Sequence, residues 1–410
     1  VALILADTGI AAARGWHFDS RLDRLGFDVA LTAFFATVLL WLLPSGRSWL
    51  ARRGPQLILA SMATICGLIL AEIASMLLTP LFEPPIHLRR PGTETIYHPQ
   101  PGVMRGISGV SHTKINSWGL RGDEPPPADK TVRILCLGAS STNCTYLDES
   151  ETWASVLQKT LNAEDPTHRY WVGNAGIPSL TTQQHLEFLE KLPIPGAVDC
   201  VILQAGINDF MQAIAPAARP APFWVRSHLW RLATSVVRRY LNSPDVVVED
   251  AAGRSYVRRR AQRVAAEKVY QLPDLKQRLA EYTQRLNAII TACQRNKVRL
   301  IVTSQPVLWK DSPDADNEPL YWFGRMADDR YLATAELRQG MDLYNRRTRE
   351  VCKERGVEFV DLSNLNGDAK SFYDDCHYTE EGARQVARRV ADYLLLNASA
   401  SQASAAKSHP

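Results

Sequence analysis

The sequence predicts a parallel three-layer α/β domain on a five-stranded sheet, preceded by two apolar helices at the N-terminal end. Two observations carry this. Five short runs, "VRILCLG", "YWVGNAG", "CVILQAG", "VRLIVTSQP" and "VEFVDLS", are rich in Val, Ile and Leu without polar alternation, as strands buried on both faces are. Helical stretches separate them, among them "LPDLKQRLAEYTQRLNAIITACQRN" and "TEEGARQVARRVADYLLL", and this βαβ rhythm implies a parallel sheet with helices on both sides.

The N-terminal 82 residues read as a membrane-anchor region with helices at about 27–45 and 57–79. The first rests on the apolar run Val29–Leu43, the second on Leu57–Leu78, interrupted only by Glu72. Neither shows the polar stripe of an amphipathic surface helix, and a bilayer span needs roughly 20 apolar residues. The connector "PSGRSWLARRGPQ" carries Arg47, Arg52 and Arg53 and no acid. Short basic loops stay in the cytoplasm, so the expectation is a helical hairpin in the cytoplasmic membrane with everything after Leu78 extracytoplasmic, either periplasmic or extracellular.

Residues 83–130 read as a Pro-rich linker and lead-in segment, and 131–396 as the α/β domain. An insertion at about 210–271 shows no clear strand. It is basic, with Arg238, Arg239, Arg258, Arg259, Arg260 and Arg263, and reads as a solvated helix face or a surface for anionic lipid or polyanion. The small, polar residues 397–410 read as a disordered tail.

Composition narrows the function classes. Hydrophobic content of 46% and charged content of 22% are those of an ordinary folded chain, and a net charge of +4 points to no nucleic acid. The seven cysteines form no CxxC pair and no zinc-spaced Cys/His cluster, so no metal or cofactor is expected. Cys66 and Cys136 read as small buried hydrophobes. Oligomeric state is not readable from any motif.

Chemistry in an open α/β sheet is expected beyond the carboxyl ends of its strands. After the first strand come Gly138, Ala139, Ser140, Ser141 and Thr142; after the second, "NAGIPS" from Asn174 to Ser179; after the third, Gly206, Ile207, Asn208 and Asp209; near the last, "FYDDCHYTEEG", with Asp374 three residues before His377. Singly these are caps and turns. Together they supply a hydroxyl nucleophile in Ser140, a base in His377, an acid in Asp374 that fixes the base's tautomer, and oxyanion donors in the Asn208 side chain and the Ser140 backbone N–H.

In this order the four blocks resemble those of the SGNH hydrolases, also called the GDSL family, and the whole resembles membrane-anchored bacterial members. The resemblance spans about residues 110–396. It implies a flavodoxin-like sheet with a shallow site, and ester hydrolysis on acetylated carbohydrate or lipid esters. Two positions depart from the family pattern: Ala139 stands where an Asp is usual, and Ser179 where a Gly contributes an oxyanion N–H. Ser179 serves only if its backbone suits a residue with a Cβ, and Gly176 is the weaker substitute. "INSWGLRGDE", Ile115–Glu124, also resembles a segment ahead of the catalytic blocks in anchored members. Its Gly119 and Gly122 predict tight turns, and Arg121 reads foremost as part of a structural lead-in.

The expectation is therefore a membrane-anchored serine esterase working through an acyl-enzyme. Two alternatives stay open: an O-acyltransferase that passes the acyl group to a surface polysaccharide, and an inactive assembly factor on the same fold. The sequons at Asn143 and Asn397 match glycosylation acceptors, but the first lies beside the nucleophile.

Overall fold

The computed structural model describes residues 32, 42–82, 89–100, 102–127, 131–191, 197–215, 227–232, 246–312, 314–326 and 328–407. The chain forms two compact units, one of residues 1–84 with 219–243 and the other of residues 85–218 with 244–410.

The first unit is built on helix α1, Pro44–Phe82. Within it Ala51–Leu77 is long and apolar enough to cross a membrane. The expected loop 44–56 is not a loop: it is the first part of α1. Its Trp, Leu, Ala and Arg residues are sound helix formers, and Pro44 sits at the first helical position, where its missing N–H costs nothing. The first apolar run lies almost wholly outside the described residues, so among the described residues one helix long and apolar enough to cross a membrane is seen rather than the expected pair. Cys66, expected to be buried, is exposed on α1; all seven cysteines are free and the other six are buried.

The second unit opens with β1, Glu94–Pro99, and β2, Ser111–Lys114, inside the segment expected to be a linker. The five expected sheet strands all form: β3 Thr131–Gly138, β4 Arg169–Gly176, β5 Cys200–Gln204, β8 Arg299–Thr303 and β10 Glu358–Val360. They make one sheet in the order β10-β8-β5-β3-β4 with every pairing parallel. The chain steps from β3 to β4 on one side and then returns to β5 on the other, which puts the switch point at the end of β3, the expected location of a site.

Between the strands run α2 Ser140–Asn143, α3 Trp153–Glu164, α4 Thr182–Lys191, α5 Ile207–Ile214, α6 Arg254–Ala265, α7 Lys276–Arg295, α8 Thr334–Arg355 and α9 Glu380–Lys407. α3 packs on α9, while α4, α5, α7 and α8 pack together, so each face of the sheet is covered. The core between these layers includes Leu137, Ile202, Val302, Phe188, Phe210, Tyr282 and Trp153, all buried.

Two further expectations fail. The insertion does contain strands: β6, Val246–Ala252, runs parallel to β1 and completes a three-stranded sheet in the order β2-β1-β6, and β7, Lys268–Val269, pairs with β9, Tyr331–Leu332. "VVVEDAA" is β-branched enough for a strand but lies far in sequence from its partner, so local pattern does not reveal the pairing. The polar tail is helical as far as Lys407, continuing α9, because its alanines carry high helix propensity despite the absence of an apolar stripe.

Candidate active site

The site is assembled at the carboxyl end of β3. Gly138 closes the strand at a point with no room for a side chain. A Cβ there would lie 2.1 Å from Thr142 Oγ1 and 2.9 Å from the Gln204 carbonyl. The chain turns through Ala139 and enters α2 at Ser140, and Cys144 ends the helix in a left-handed conformation. Ser140 is half-buried, so its hydroxyl is reachable.

His377 approaches from the loop before α9. Its Nε2 lies 2.7 Å from Ser140 Oγ. On the other side of the ring, Nδ1 is 2.7 Å from Asp374 Oδ2 and 2.9 Å from Oδ1. Asp374 also accepts the backbone N–H groups of Cys376 and His377. The three-residue spacing thus folds the loop around the carboxylate and returns the imidazole toward β3.

Burial raises the Asp374 pKa, but the charge and hydrogen bonds of His377 and the Trp322 indole N–H outweigh it and hold the carboxyl below its usual range. Burial lowers that of His377, yet the Asp374 carboxylate wins and holds the imidazole well above its ordinary value. The two shifts describe one ion pair.

The expected oxyanion donors divide. The Ser140 N–H, at the start of α2, meets no acceptor among the described residues. Gly206 with φ +115° makes the turn into α5, and Asn208 follows half-buried. One Asn208 amide hydrogen goes to the Leu180 carbonyl at 2.8 Å, and its second meets no acceptor among the described residues. Ser179 is exposed and adopts φ +70°. The backbone therefore keeps a conformation that favours glycine, although the residue is serine. Gly176 is excluded as a donor: its N–H is given to Asn174 Oδ1 at 2.9 Å. Asp209 is buried away from the reacting groups, accepting Thr182 and Arg285.

Several contributors carried no sequence signal. Trp322 donates its indole N–H to Asp374 Oδ2 at 3.0 Å, and its ring lies parallel to His377 with centroids 6.4 Å apart. Tyr373 stacks on His377 at 5.6 Å, and Tyr256 and Phe323 stand edge-on to it. Asp375 fastens the Trp322 turn by accepting the Trp322 and Phe323 backbone N–H groups and the Trp309 indole. Burial, then the neighbouring Asp374 charge, pushes Asp375 up to about 6. The aromatic run "YWFG" marks the turn in sequence, but nothing in its spacing ties it to His377.

The insertion also reaches this wall. Arg260 donates to the carbonyls of Val103, Leu320 and Tyr373, and buried Arg263 to those of Phe323 and Leu332. These two arginines, expected on a solvated face, hold loops together; Arg258 and Arg259 are exposed, and Arg259 sits over the Trp322 ring at 4.6 Å. Arg238 and Arg239 lie outside the described residues.

The lead-in motif has a structural task. Gly119 and Gly122 have φ +74° and +111°. Arg121 is fully buried, pairs with Glu149, and donates to the carbonyls of Asn143, Cys144 and Leu147. It caps the C-terminal end of α2, as a cation does well.

Asp374, Cys376 and His377 bring ligand-type atoms within 4.8 Å of one another. The set suits a metal poorly. The carboxylate is already occupied, and burial raises the Cys376 thiol to about 11, whereas metals bind the thiolate.

A family comparison decides the affiliation: the GDSL-like lipase/acylhydrolase family matches residues 136–385, more than half of the chain. The chain belongs to that family. The residues of this GDSL-like domain include all four blocks named above. Among solved structures, an acetylxylan esterase from Geobacillus stearothermophilus is 17% identical, with 63% of this chain and 92% of that chain covered and a TM-score of 0.37. A lipase/acylhydrolase from Enterococcus faecalis is 15% identical over 64% and 95%, with a TM-score of 0.37. An alpha/beta hydrolase enzyme from the metagenome of Lake Arreo is 14% identical over 63% and 93%, with a TM-score of 0.38. Likeness this distant says nothing about substrate. A search of curated proteins found no match to this chain. Family membership supports an ester-hydrolysing enzyme.

Proposed function

We propose that this GDSL-like enzyme is a membrane-anchored serine esterase in which Ser140, His377 and Asp374 form the catalytic triad. The observation that carries the reading is the unbroken hydrogen-bonded line from Ser140 Oγ through the His377 ring to Asp374. His377 Nε2 takes the hydroxyl proton as Ser140 Oγ attacks the ester carbonyl. The tetrahedral oxyanion forms against the Ser140 N–H, the second Asn208 amide hydrogen and the Ser179 N–H, in a site where preorganised donors count most. The ester C–O bond breaks, and His377 returns the proton to the leaving alkoxide. Water, deprotonated by His377, then releases the acid from Ser140. Asp374 fixes the Nδ1–H tautomer and stabilises the imidazolium.

Anchoring rests on α1. Its apolar stretch Ala51–Leu77 begins beside Arg47, Arg52 and Arg53. The positive-inside rule puts that end in the cytoplasm and the catalytic domain outside, where O-acetylated glycans and lipid esters are the fitting substrates.

The test is hydrolysis of aryl esters graded from acetate to long acyl chains by wild type and by Ser140→Ala, with and without a sugar acceptor. Activity lost in the variant supports the nucleophile, and the preferred chain length separates acetyl esterase from lipase. Persistence in Ser140→Ala sinks the assignment. Transfer to the sugar outpacing hydrolysis would make the enzyme an acyltransferase.

A further inference from the structure

Glu72 is the one acid in the apolar stretch of α1, and an ionised side chain inside a bilayer is costly unless it is partnered. It is fully partnered. Its Oε1 accepts the His228 N–H at 2.6 Å, and its Oε2 accepts the Ser227 hydroxyl at 2.7 Å and the Leu229 N–H at 3.0 Å. Ser227 Oγ in turn accepts the Trp230 N–H at 3.1 Å. Ser227 and Glu72 together cap the helical residues 228–232. The carboxylate sits on the amide-rich, partly positive end of that helix.

Burial along α1 agrees. From Ala60 to Leu77 almost every described side chain is exposed, but Ala71 and Glu72 are half-buried and Ser75 is buried. One narrow stripe is covered, and the contacts of Glu72 identify what covers it. Glu72 lies five residues before the end of the apolar stretch, about 8 Å along the axis at the α-helical rise. The chain at Ser227 is therefore held below the level where the span emerges. The sequence around it suits that depth. Between residues 219 and 243 there are five arginines and no acid, with Trp224, Trp230 and Tyr240 among them. Aromatic rings concentrate at the membrane interface, and arginine stems extend toward headgroups.

We infer that the stretch 227–232 is a second membrane element, dipping into the interface at the C-terminal end of the α1 span, held there by Glu72, with Arg231 reaching anionic phospholipid headgroups. This rests on α1 being a span. The chain thus meets the bilayer twice, through α1 and through the stretch 227–232.

The test uses the full chain, reconstituted alone in phosphatidylcholine vesicles with or without phosphatidylglycerol. In a Cys66→Ala background, where the remaining native cysteines are buried, a bimane is placed by Trp230→Cys, and in a control by His168→Cys on the exposed surface of the other unit. Flotation with the vesicles is measured first, and failure to float overturns both the span and this inference. With flotation intact, iodide should quench position 230 at least roughly threefold less than position 168, and a lipid spin-labelled near the headgroup should quench position 230. Equal iodide access at both positions overturns the inference and leaves the span standing. Glu72→Ala should raise iodide access at position 230 without abolishing flotation, and no change would remove Glu72 from the tether. Protection that ignores phosphatidylglycerol would overturn the headgroup contact.

Discussion

At Ser179 a serine occupies a backbone setting of φ +70°, where a Cβ costs about 1–2 kcal/mol. Ser179→Gly should relieve that strain, with part of the gain offset by the freer unfolded chain. We expect its kcat to equal or exceed wild type and the melting temperature to move little. Ser179→Val, with a branched Cβ in the same conformation, should cut kcat roughly tenfold or more. Trp322 acts on the base from behind, through Asp374 Oδ2 and the face of His377. Trp322→Phe keeps a ring and loses one hydrogen bond to a charged acceptor, worth about 1.5–3 kcal/mol. Steady-state kinetics should show kcat falling by roughly tenfold or more with KM little changed. The raised His377 pKa fixes the pH response. In the proposed triad the neutral imidazole is the base, so kcat/KM should rise with pH, with its midpoint above the ordinary histidine value of 6.5. Asp374→Asn removes the charge responsible, so any residual activity should have its midpoint at lower pH. The same pair stabilises the fold while His377 is protonated, and this contribution fades as pH rises through the raised pKa.

Among the elements, the short helix α2 depends most on its surroundings. Four residues cannot hold a helix alone; Gly138 admits it at one end and Arg121 closes it at the other. Gly138→Ala would force a Cβ within 2.1 Å of Thr142 Oγ1, so thermal denaturation should show a large loss of stability, and activity should fall with it because Ser140 moves. Arg121→Met keeps much of the buried stem but leaves three buried carbonyls and Glu149 without their cation. The cost should be about 3 kcal/mol by denaturant titration, an effect Arg121→Lys rescues only in part. The five strands of the main sheet were legible because strands buried on both faces are continuous apolar runs. β1, β2 and β6 were not: β1 and β2 are short and carry no apolar run, and β6 pairs with β1 from some 150 residues away.

For the whole molecule, membrane attachment is the property to measure. Fractionation of cells should find the chain in the membrane and released by detergent, and protease added to spheroplasts should reach the catalytic domain before the cytoplasmic membrane is broken. The insertion also joins functions that its composition does not distinguish. Arg260 and Arg263 brace the loops around His377, while the stretch capped by Glu72 belongs to the same compact unit as α1. A basic run alone cannot say which arginines meet carbonyls and which meet solvent, since both uses draw on the same side chain. What the sequence determined by itself was the parallel sheet, the polar blocks after the strands that carry Ser140 and Asn208, the Asp374-to-His377 spacing before the last helix, and one apolar helix, because each is written in contiguous residues with a physical period or spacing. Only the tertiary structure decided that Gly176 is spent on Asn174, that Ser179 holds a glycine-like backbone, that Trp322 and Tyr373 enclose the base, and that Glu72 caps a helix more than 150 residues away. Those are contacts between distant segments, set by how the packed layers bring loops together rather than by the order of residues along any one of them.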